Sequence, residues 1–253
     1  MNRAAAIDPV RGHPRLFRST EDGRPTYWTP GLGDPPEVYG ERVVHREAGA
    51  LRRWDPTRSK LGAALARGYD GPTPGPDEFW LYLGAATGTT ASHVADLVGP
   101  RGAVFAVEKS LRSFSRLLRL ADRYPNLLPL LADARECREY LPLVPPVDGL
   151  YADLAQPDQV AIVIENSQWF VKPGGLILLA LKTASMGRLR TPRAHLDSAL
   201  TELDPLGRVE ESIALEPFHK RHYLVSVRTK DGALPAVARG PRPRSDRPAG
   251  SSR

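Results

Sequence analysis

Strand-like and helix-like patterns alternate along the middle of the chain, between Glu78 and Lys182. They begin with LYLGAATGTTASHVADLVG, where an apolar run passes through a turn of small residues into an amphipathic run. Alternation of this kind predicts an α/β fold with a mainly parallel sheet covered by helices on both faces. Two strand-like segments, GRVEESIALEP and HYLVSVRT, then follow in succession. They predict an antiparallel hairpin at one edge of the sheet.

The two ends of the chain differ from its middle. Residues 1–12 have no apolar periodicity, and residues 231–253 are rich in Pro, Gly and Ser, with five Arg against two Asp. Such segments bury too little apolar surface to offset their ordering entropy, so we expect both to be disordered. Residues 13–54 carry short strand patterns broken by Gly and Pro, and they predict a small β-rich N-terminal subdomain. Residues 55–230 form the predicted α/β domain.

Composition narrows the class of protein. No apolar run approaches the ~20 residues that a membrane helix needs, so we expect no membrane association. The start, MNRAAAIDPVRGHPR, contains no apolar stretch of the length of a secretory signal, which favours the cytoplasm. The single cysteine, Cys137, excludes an intrachain disulfide and argues against a cysteine-rich metal site. We expect no bound metal.

Positive charge in this chain is mostly arginine. The net charge is +6, which weakly suggests a polyanionic partner such as nucleic acid. Arg outnumbers Lys 29 to six. Since the chain uses Arg nearly wherever it needs only a charge, each Lys is a candidate for chemistry that Arg cannot perform. Arg stays protonated, whereas a buried Lys can exchange a proton.

The turn between the first strand and the first helix of the alternating region lies where an open α/β sheet binds ligands. Gly84, Ala85, Ala86 and Gly88 would let a ligand approach main-chain atoms, and hydroxyl groups follow at the helix start. The spacing is G-x-x-x-G, not the G-x-G-x-x-G of dinucleotide-binding proteins, and no Lys follows the second Gly as in a phosphate-binding loop.

Three carboxylates end three successive predicted strands. Glu108 ends the second strand, 24 residues after Gly84, where an acidic group can accept hydrogen bonds from both ribose hydroxyls. Asp133 ends the third strand and Asp153 the fourth, so all three would face one crevice. A ligand with an adenosine, no phosphates and a positive centre fits this arrangement. S-adenosylmethionine is such a ligand.

Several stretches together resemble the fibrillarin family, especially its short archaeal-type form. They are VYGERVV, WDPTRSKLGAAL, YLGAATGTTASHVADLVGPRGAVFAVE, PNLLPLLADAR, YADLAQPDQ and WFVKPGGLILLALK, and the resemblance covers roughly residues 16–228. It implies the class I, Rossmann-like fold of S-adenosylmethionine-dependent methyltransferases. It also implies methylation of ribose 2′-hydroxyls in rRNA or tRNA, with a box C/D guide RNA, a scaffold protein and a kink-turn-binding protein as partners.

The resemblance also implies site residues. The family's proposed catalytic set would fall on Lys60, Asp153, Lys182 and His222. Lysines beside Asp153 would stabilise negative charge on the ribose oxygen and one of them, if neutral, would act as base; the two roles stay open. The implied cofactor contacts are Gly84, Ala85, Thr89, Thr90, Glu108, Lys109, Asp133, Ala134, Asp153 and Gln156.

One residue departs from the family pattern. Lys109 stands where the family usually has an aromatic residue, so the apolar wall beside the adenosine is absent or supplied by other residues. Two other functions stay open at this point. One is an RNA- or partner-binding protein with weak or no turnover, which Lys109 favours and the intact catalytic set opposes. The other is a nicotinamide-dependent oxidoreductase, which the missing phosphate-binding fingerprint disfavours.

Overall fold

A five-stranded antiparallel sheet forms the N-terminal part of the computed structural model, which describes residues 6–187 and 189–232. Its strand order is β1-β2-β3-β5-β4. The strands are β1 (Asp8–Val10), β2 (His13–Glu21), β3 (Arg24–Pro30), β4 (Val43–Arg46) and β5 (Gly49–Trp54).

The first strand, Asp8–Val10, corrects the prediction of disorder for that part of residues 1–12, and residues 1–5 lie outside the described part of the chain. β1 pairs with β2, with Pro9 opposite Phe17, and Ile7 packs into a small core with Trp28 and Leu51. The main chain of an edge strand is ordered by the hydrogen bonds of its neighbour, which need no apolar alternation in its own sequence. Of the predicted basic tail, residues 231–253, all but the first two residues lie outside the described part of the chain.

The larger sheet has seven strands in the order β11-β12-β10-β9-β6-β7-β8. Neighbours from β10 to β8 are parallel, whereas β12 runs antiparallel to both β10 and β11. Its strands are β6 (Phe79–Leu83), β7 (Ala103–Glu108), β8 (Leu127–Leu131), β9 (Val147–Ala152), β10 (Val171–Lys182), β11 (Gly207–Ala214) and β12 (His222–Thr229). The predicted parallel sheet and its antiparallel edge hairpin are confirmed.

Helices cover both faces of this sheet. Successive residues of β6 point to opposite faces, so Tyr82 packs with one core and Leu83 with the other. The first core takes its helical residues from α1, α2 and α3, and the second from α4 and α5. The helices are α1 (Lys60–Ala66), α2 (Thr89–Val98), α3 (Leu111–Ala121), α4 (Gln159–Phe170) and α5 (Pro192–Leu203). In the described part of the chain, no helix has the length and apolarity to cross a membrane.

A buried polar cluster joins the small sheet to the larger one. The guanidinium of Arg52, on β5, lies 2.7 Å from Asp96 Oδ2 on α2 and 2.6 Å from Glu41 Oε1. It also donates to Tyr124 Oη at 2.7 Å and to Ser92 Oγ at 3.0 Å. The Arg52 and Asp96 side chains are fully buried. Such a pair is stable only when each charge finds its counter-charge, so the cluster fixes how the two sheets meet.

Candidate active site

The turn from β6 to α2 lies unusually close to the main chain that follows β9. Gly84 has φ +77°, and a Cβ there would lie 2.5 Å from the carbonyl oxygen of Asp153. Gly88 has φ +91°, and a Cβ there would meet the Leu120 side chain. Both positions need glycine because of the backbone conformation and because of the neighbouring atoms. The two glycines therefore allow the chain at Asp153 and the α3 side chain of Leu120 to pack directly against the turn.

A cleft of about 360 Å³ lies beside this turn, at the carboxyl ends of β6, β7, β8 and β9. Parallel strands end at the same edge of a sheet, and so residues distant in sequence meet there. Seven of the ten predicted cofactor contacts line the cleft. They are Gly84, Glu108, Lys109, Asp133, Ala134, Asp153 and Gln156.

The other three predicted contacts are placed elsewhere among the described residues. Ala85 is buried in the core under the turn. Thr90 is also buried, and its hydroxyl donates to Ser59 Oγ at 3.0 Å, while Thr89 is half-buried at the start of α2. Ala86 lines the cleft instead, because its φ of +50° turns the chain outward after Ala85. A run of small residues gives no sequence signal that separates Ala85 from Ala86.

Main-chain donors hold the carboxylate of Glu108 at the mouth of the turn. Glu108 Oε2 accepts a hydrogen bond from Ala86 N at 2.8 Å, and Oε1 accepts one from Ser110 N at 2.7 Å. Each carboxylate oxygen can accept two hydrogen bonds. Glu108 is thus oriented by the protein and keeps capacity to bind hydroxyl groups in the cleft.

Asp133 lies across the cleft in a network of charges. Lys109 Nζ donates to Asp133 Oδ2 at 3.3 Å, and Arg135 N donates to Oδ1 at 3.0 Å. Partial burial alone would raise the pKa of Asp133, but these hydrogen bonds and the two positive charges outweigh it and lower the pKa. With its amide oxygen turned to the cations, Gln156 accepts from Lys109 Nζ and Arg135 Nη1, both at 3.2 Å. Lys109 therefore brings a positive charge, not an aromatic ring, into the lining of the cleft.

Lys60 and Asp153 form an ion pair beside the cleft. Lys60 Nζ donates to Asp153 Oδ2 at 2.5 Å, and both side chains are about one-fifth exposed. Lys60 is the first residue of α1, and Ser59 caps that helix by accepting from Gly62 N at 3.3 Å. Since Thr90 of α2 bonds to the same Ser59 hydroxyl, the start of α1 is held against the start of α2.

Lys182 and His222 face each other across the antiparallel pair β10 and β12. The Gln159 side chain bonds to both Lys182 main-chain groups, accepting from its N–H at 2.9 Å and donating to its carbonyl at 3.1 Å. His222 Nδ1 lies 2.8 Å from the Lys220 carbonyl oxygen, so in the neutral ring Nδ1 carries the hydrogen and Nε2 keeps its lone pair. Burial, with a smaller effect of the Lys60 charge, lowers the pKa of His222.

The fold and the cleft define a class of protein. The sheet has this strand order with an antiparallel edge strand, a glycine turn follows its first parallel strand, and acidic side chains stand at the next strand ends. Together these features are those of a class I, Rossmann-like methyltransferase that uses S-adenosylmethionine. The acidic side chains of the cleft fit that cofactor, because Glu108 and Asp133 can accept hydrogen bonds from ribose hydroxyls and an adenine amine. The small residues Gly84 and Ala86 of the turn also line the cleft.

Comparison with known proteins then identifies the family. The family model described as Fibrillarin matches residues 7–231, and the chain belongs to that family. A protein of Staphylothermus marinus named fibrillarin-like rRNA/tRNA 2′-O-methyltransferase is 41% identical over 211 residues, which cover 83% of this chain and 90% of the relative. A protein of Pyrococcus horikoshii with the same name is 40% identical, over 82% of this chain and 92% of the relative.

Solved structures of the family have the same fold. Fibrillarin of Methanococcus jannaschii aligns with a TM-score of 0.85 and 31% identity, over 90% of this chain and 99% of that one. Fibrillarin of Aeropyrum pernix, described with natively bound S-adenosylmethionine, aligns with a TM-score of 0.78 and 33% identity, over 90% and 100%. The structure described as a fibrillarin/Nop5p complex aligns with a TM-score of 0.74 and 34% identity, over 84% and 97%.

Proposed function

We propose that this protein transfers a methyl group from S-adenosylmethionine to the 2′-hydroxyl of ribose in RNA. The observation that carries the proposal is the Lys60–Asp153 ion pair of 2.5 Å at the edge of the cleft, with the Lys182–His222 pair on the neighbouring strand ends. The charges of Lys60 and Asp153 act on His222, so the two pairs share one electrostatic environment. The two pairs together provide positive charge and a proton acceptor. A ribose hydroxyl needs both in order to become a nucleophile.

The residues of the chain have separate tasks in this reaction. Bound S-adenosylmethionine supplies an electrophilic methyl group on a positively charged sulfur. In that transfer the ribose oxygen would take the methyl group as the carbon–sulfur bond breaks with its electron pair left on sulfur, and the chain must provide a base for the hydroxyl proton. Asp153 stabilises the positive charge of Lys60, and Lys60 then stabilises the developing negative charge on the oxygen. Among the described residues, Lys182 forms no ion pair, and we assign proton acceptance to its neutral amine form, which becomes the ammonium form in the step.

The partners belong to the same proposal. Two relatives are named for rRNA and tRNA, and one related structure is described as a complex with Nop5p. We propose that this protein acts on rRNA or tRNA with a box C/D guide RNA, a scaffold protein of the Nop5p kind and a kink-turn-binding protein. We extend the proposal to a cytoplasmic role in rRNA and tRNA processing. The net charge of +6 favours RNA as the partner.

Labelled methyl transfer tests this function. Purified protein is mixed with methyl-labelled S-adenosylmethionine and RNA, with and without archaeal-type guide RNA and scaffold protein. We expect label in the RNA and a strong dependence on the guide components. An RNA- or partner-binding protein without turnover is the second candidate, and the Lys109 bonds to Asp133 and Gln156 favour it because they compete with a ligand. Cofactor and RNA binding without transfer would favour that candidate.

Glu108→Ala should weaken S-adenosylmethionine binding by roughly 1–3 kcal/mol, the scale of a lost charge-assisted hydrogen bond. Calorimetry on the folded variant measures the change. Glu108→Gln is the matched control, because its amide oxygen still accepts from one main-chain N–H of the turn. Unchanged affinity in the Ala variant would mean that Glu108 does not bind the ribose. Titration with NAD in the same instrument should give no heat, and binding of NAD would instead favour an oxidoreductase.

RNA affinity should fall steeply with salt, because phosphate contacts release counterions when they form. Deletion of residues 231–253 should lower the slope of log affinity against log salt only slightly, since we expect the folded surface to carry most of the contacts. The five Arg of that segment would lower the slope far more if they were the main RNA contacts. Filter binding at several salt concentrations separates the two results, and a collapse of affinity on deletion would make the tail the principal anchor.

A further inference from the structure

The loop between β11 and β12 lies next to both lysine-bearing segments of the site. Its own ends are joined, because Leu215 N donates to the His222 carbonyl at 3.0 Å and His219 N donates to the Leu215 carbonyl at 3.0 Å. The loop, residues 215–221, is therefore a defined turn. His219 lies in its second half and His222 follows it as the first residue of β12, with the two ring centroids 5.9 Å apart in an edge-to-face arrangement.

One side chain of this loop bonds to the segment that carries Lys60. His219 Nε2 lies 3.0 Å from the Pro56 carbonyl oxygen, and the ring is half-buried. A carbonyl oxygen only accepts, so Nε2 carries the hydrogen and donates it. Pro56 is in the turn that precedes α1, and Asp55 tightens that turn by accepting from Thr57 N at 2.8 Å. The bond from His219 thus holds the short turn that leads into α1 and its first residue, Lys60.

The other side of the loop bonds to the segment that carries Lys182. Thr183, the next residue along the chain, donates to the Arg221 carbonyl oxygen from its N–H at 3.2 Å and from its hydroxyl at 2.8 Å. One loop therefore connects to the residues beside Lys60 and beside Lys182, and it leads directly into His222. Methyl transfer depends on placing the reacting groups within a fraction of an ångström, so this connection has a consequence for the rate.

We propose that His219 is a positioning residue for methyl transfer, which fixes Lys60 relative to Lys182 and His222 through its hydrogen bond to Pro56. The inference rests on the proposed function. His219 is not one of the residues that line the cleft, so its loss should change the geometry of the catalytic groups and leave the cofactor site intact. The expected signature is a lower rate at saturating cofactor and RNA, with unchanged affinity for both.

A matched pair of amide variants tests the hydrogen bond itself. In His219→Gln the amide nitrogen lies about where Nε2 lies in histidine, so the variant can still donate to Pro56. In His219→Asn the amide is one bond shorter and cannot reach. We expect the Asn variant to be slower than the wild type by about 10-fold in single-turnover transfer, and the Gln variant to retain most of the rate.

Two controls make the result decisive. His13 is also half-buried, and its Nδ1 lies 2.7 Å from Thr73 Oγ1 in the segment before the amino end of β6, so His13→Ala, which removes that hydrogen bond, should leave the rate unchanged. Thermal unfolding of every variant separates slow chemistry from loss of fold. Equal rates in the Gln and Asn variants, whether fast or slow, would overturn the role of His219, as would a loss confined to cofactor or RNA affinity. Failure of the wild type to transfer methyl would instead refute the proposed function.

Discussion

Lys182→Arg is expected to lower the single-turnover rate of methyl transfer by about 10²-fold or more, the lower range for a lost acid–base group. Arg keeps the positive charge but cannot give up its proton, and its planar fork is larger than an ammonium group. The main chain of Lys182 is held at both its N–H and its carbonyl by Gln159, so the backbone cannot shift to accommodate the longer side chain. Lys182→Ala should fail to a similar degree.

Cofactor affinity should survive in Lys182→Arg, since the lost interaction forms in the transition state. Lys172→Arg is the matched control. Lys172 Nζ pairs with Asp148 Oδ1 at 2.6 Å, at the amino ends of β10 and β9, and a pair of this kind needs only charge. Single-turnover transfer to a guided RNA measures all variants. Full activity in Lys182→Arg would contradict the assignment of the proton acceptor to Lys182.

Arg52→Met should lower the free energy of unfolding by about 3–5 kcal/mol, because it leaves the buried carboxylates of Asp96 and Glu41 without their counter-charge. Burial raises the pKa of Asp96 even against the lowering effect of Arg52, so removal of Arg52 should raise it further. The loss of stability should therefore be smaller at acid pH, where Asp96 can become neutral on folding at less cost.

Denaturant unfolding of wild type and variant at two pH values measures this effect. The control is Arg42→Met, which removes one of two arginine partners of Glu21 on the surface, where the Arg42 side chain is 56% exposed. An exposed pair of this kind contributes about 0–1 kcal/mol. A loss in Arg52→Met no larger than in the control would show that the buried cluster does not determine how the two sheets are joined.

The parallel sheet and its edge hairpin could be predicted because each strand and helix has its own local signal. The continuous apolar run Phe79–Leu83, for example, predicts a buried strand, and turns of small residues separate the elements. The acidic strand ends could be predicted for the same reason. Parallel strands finish at one edge, so Glu108, Asp133 and Asp153 had to lie close together once the sheet was assigned.

Other features depend on contacts between distant parts of the chain, which carry no local signal. Nothing in the sequence distinguishes Arg52 from an arginine at the surface. Only the fold brings it to Asp96, 44 residues away. His219 reads as a loop histidine, because the Pro56 carbonyl that it binds is 163 residues away. The order of Asp8–Val10 likewise comes from the neighbouring strand and not from its own residues.

The most direct test of the central claim identifies the atom that receives the methyl group. RNA labelled in the presence of this protein, S-adenosylmethionine and the guide components is hydrolysed in alkali, in which the 2′-hydroxyl is the nucleophile that cleaves the chain. A 2′-O-methyl group removes that nucleophile, so we predict that the label is recovered in an alkali-resistant dinucleotide. We also predict that it disappears when the target nucleotide is 2′-deoxy. Label recovered in mononucleotides, or equal labelling of the 2′-deoxy RNA, would contradict ribose methylation.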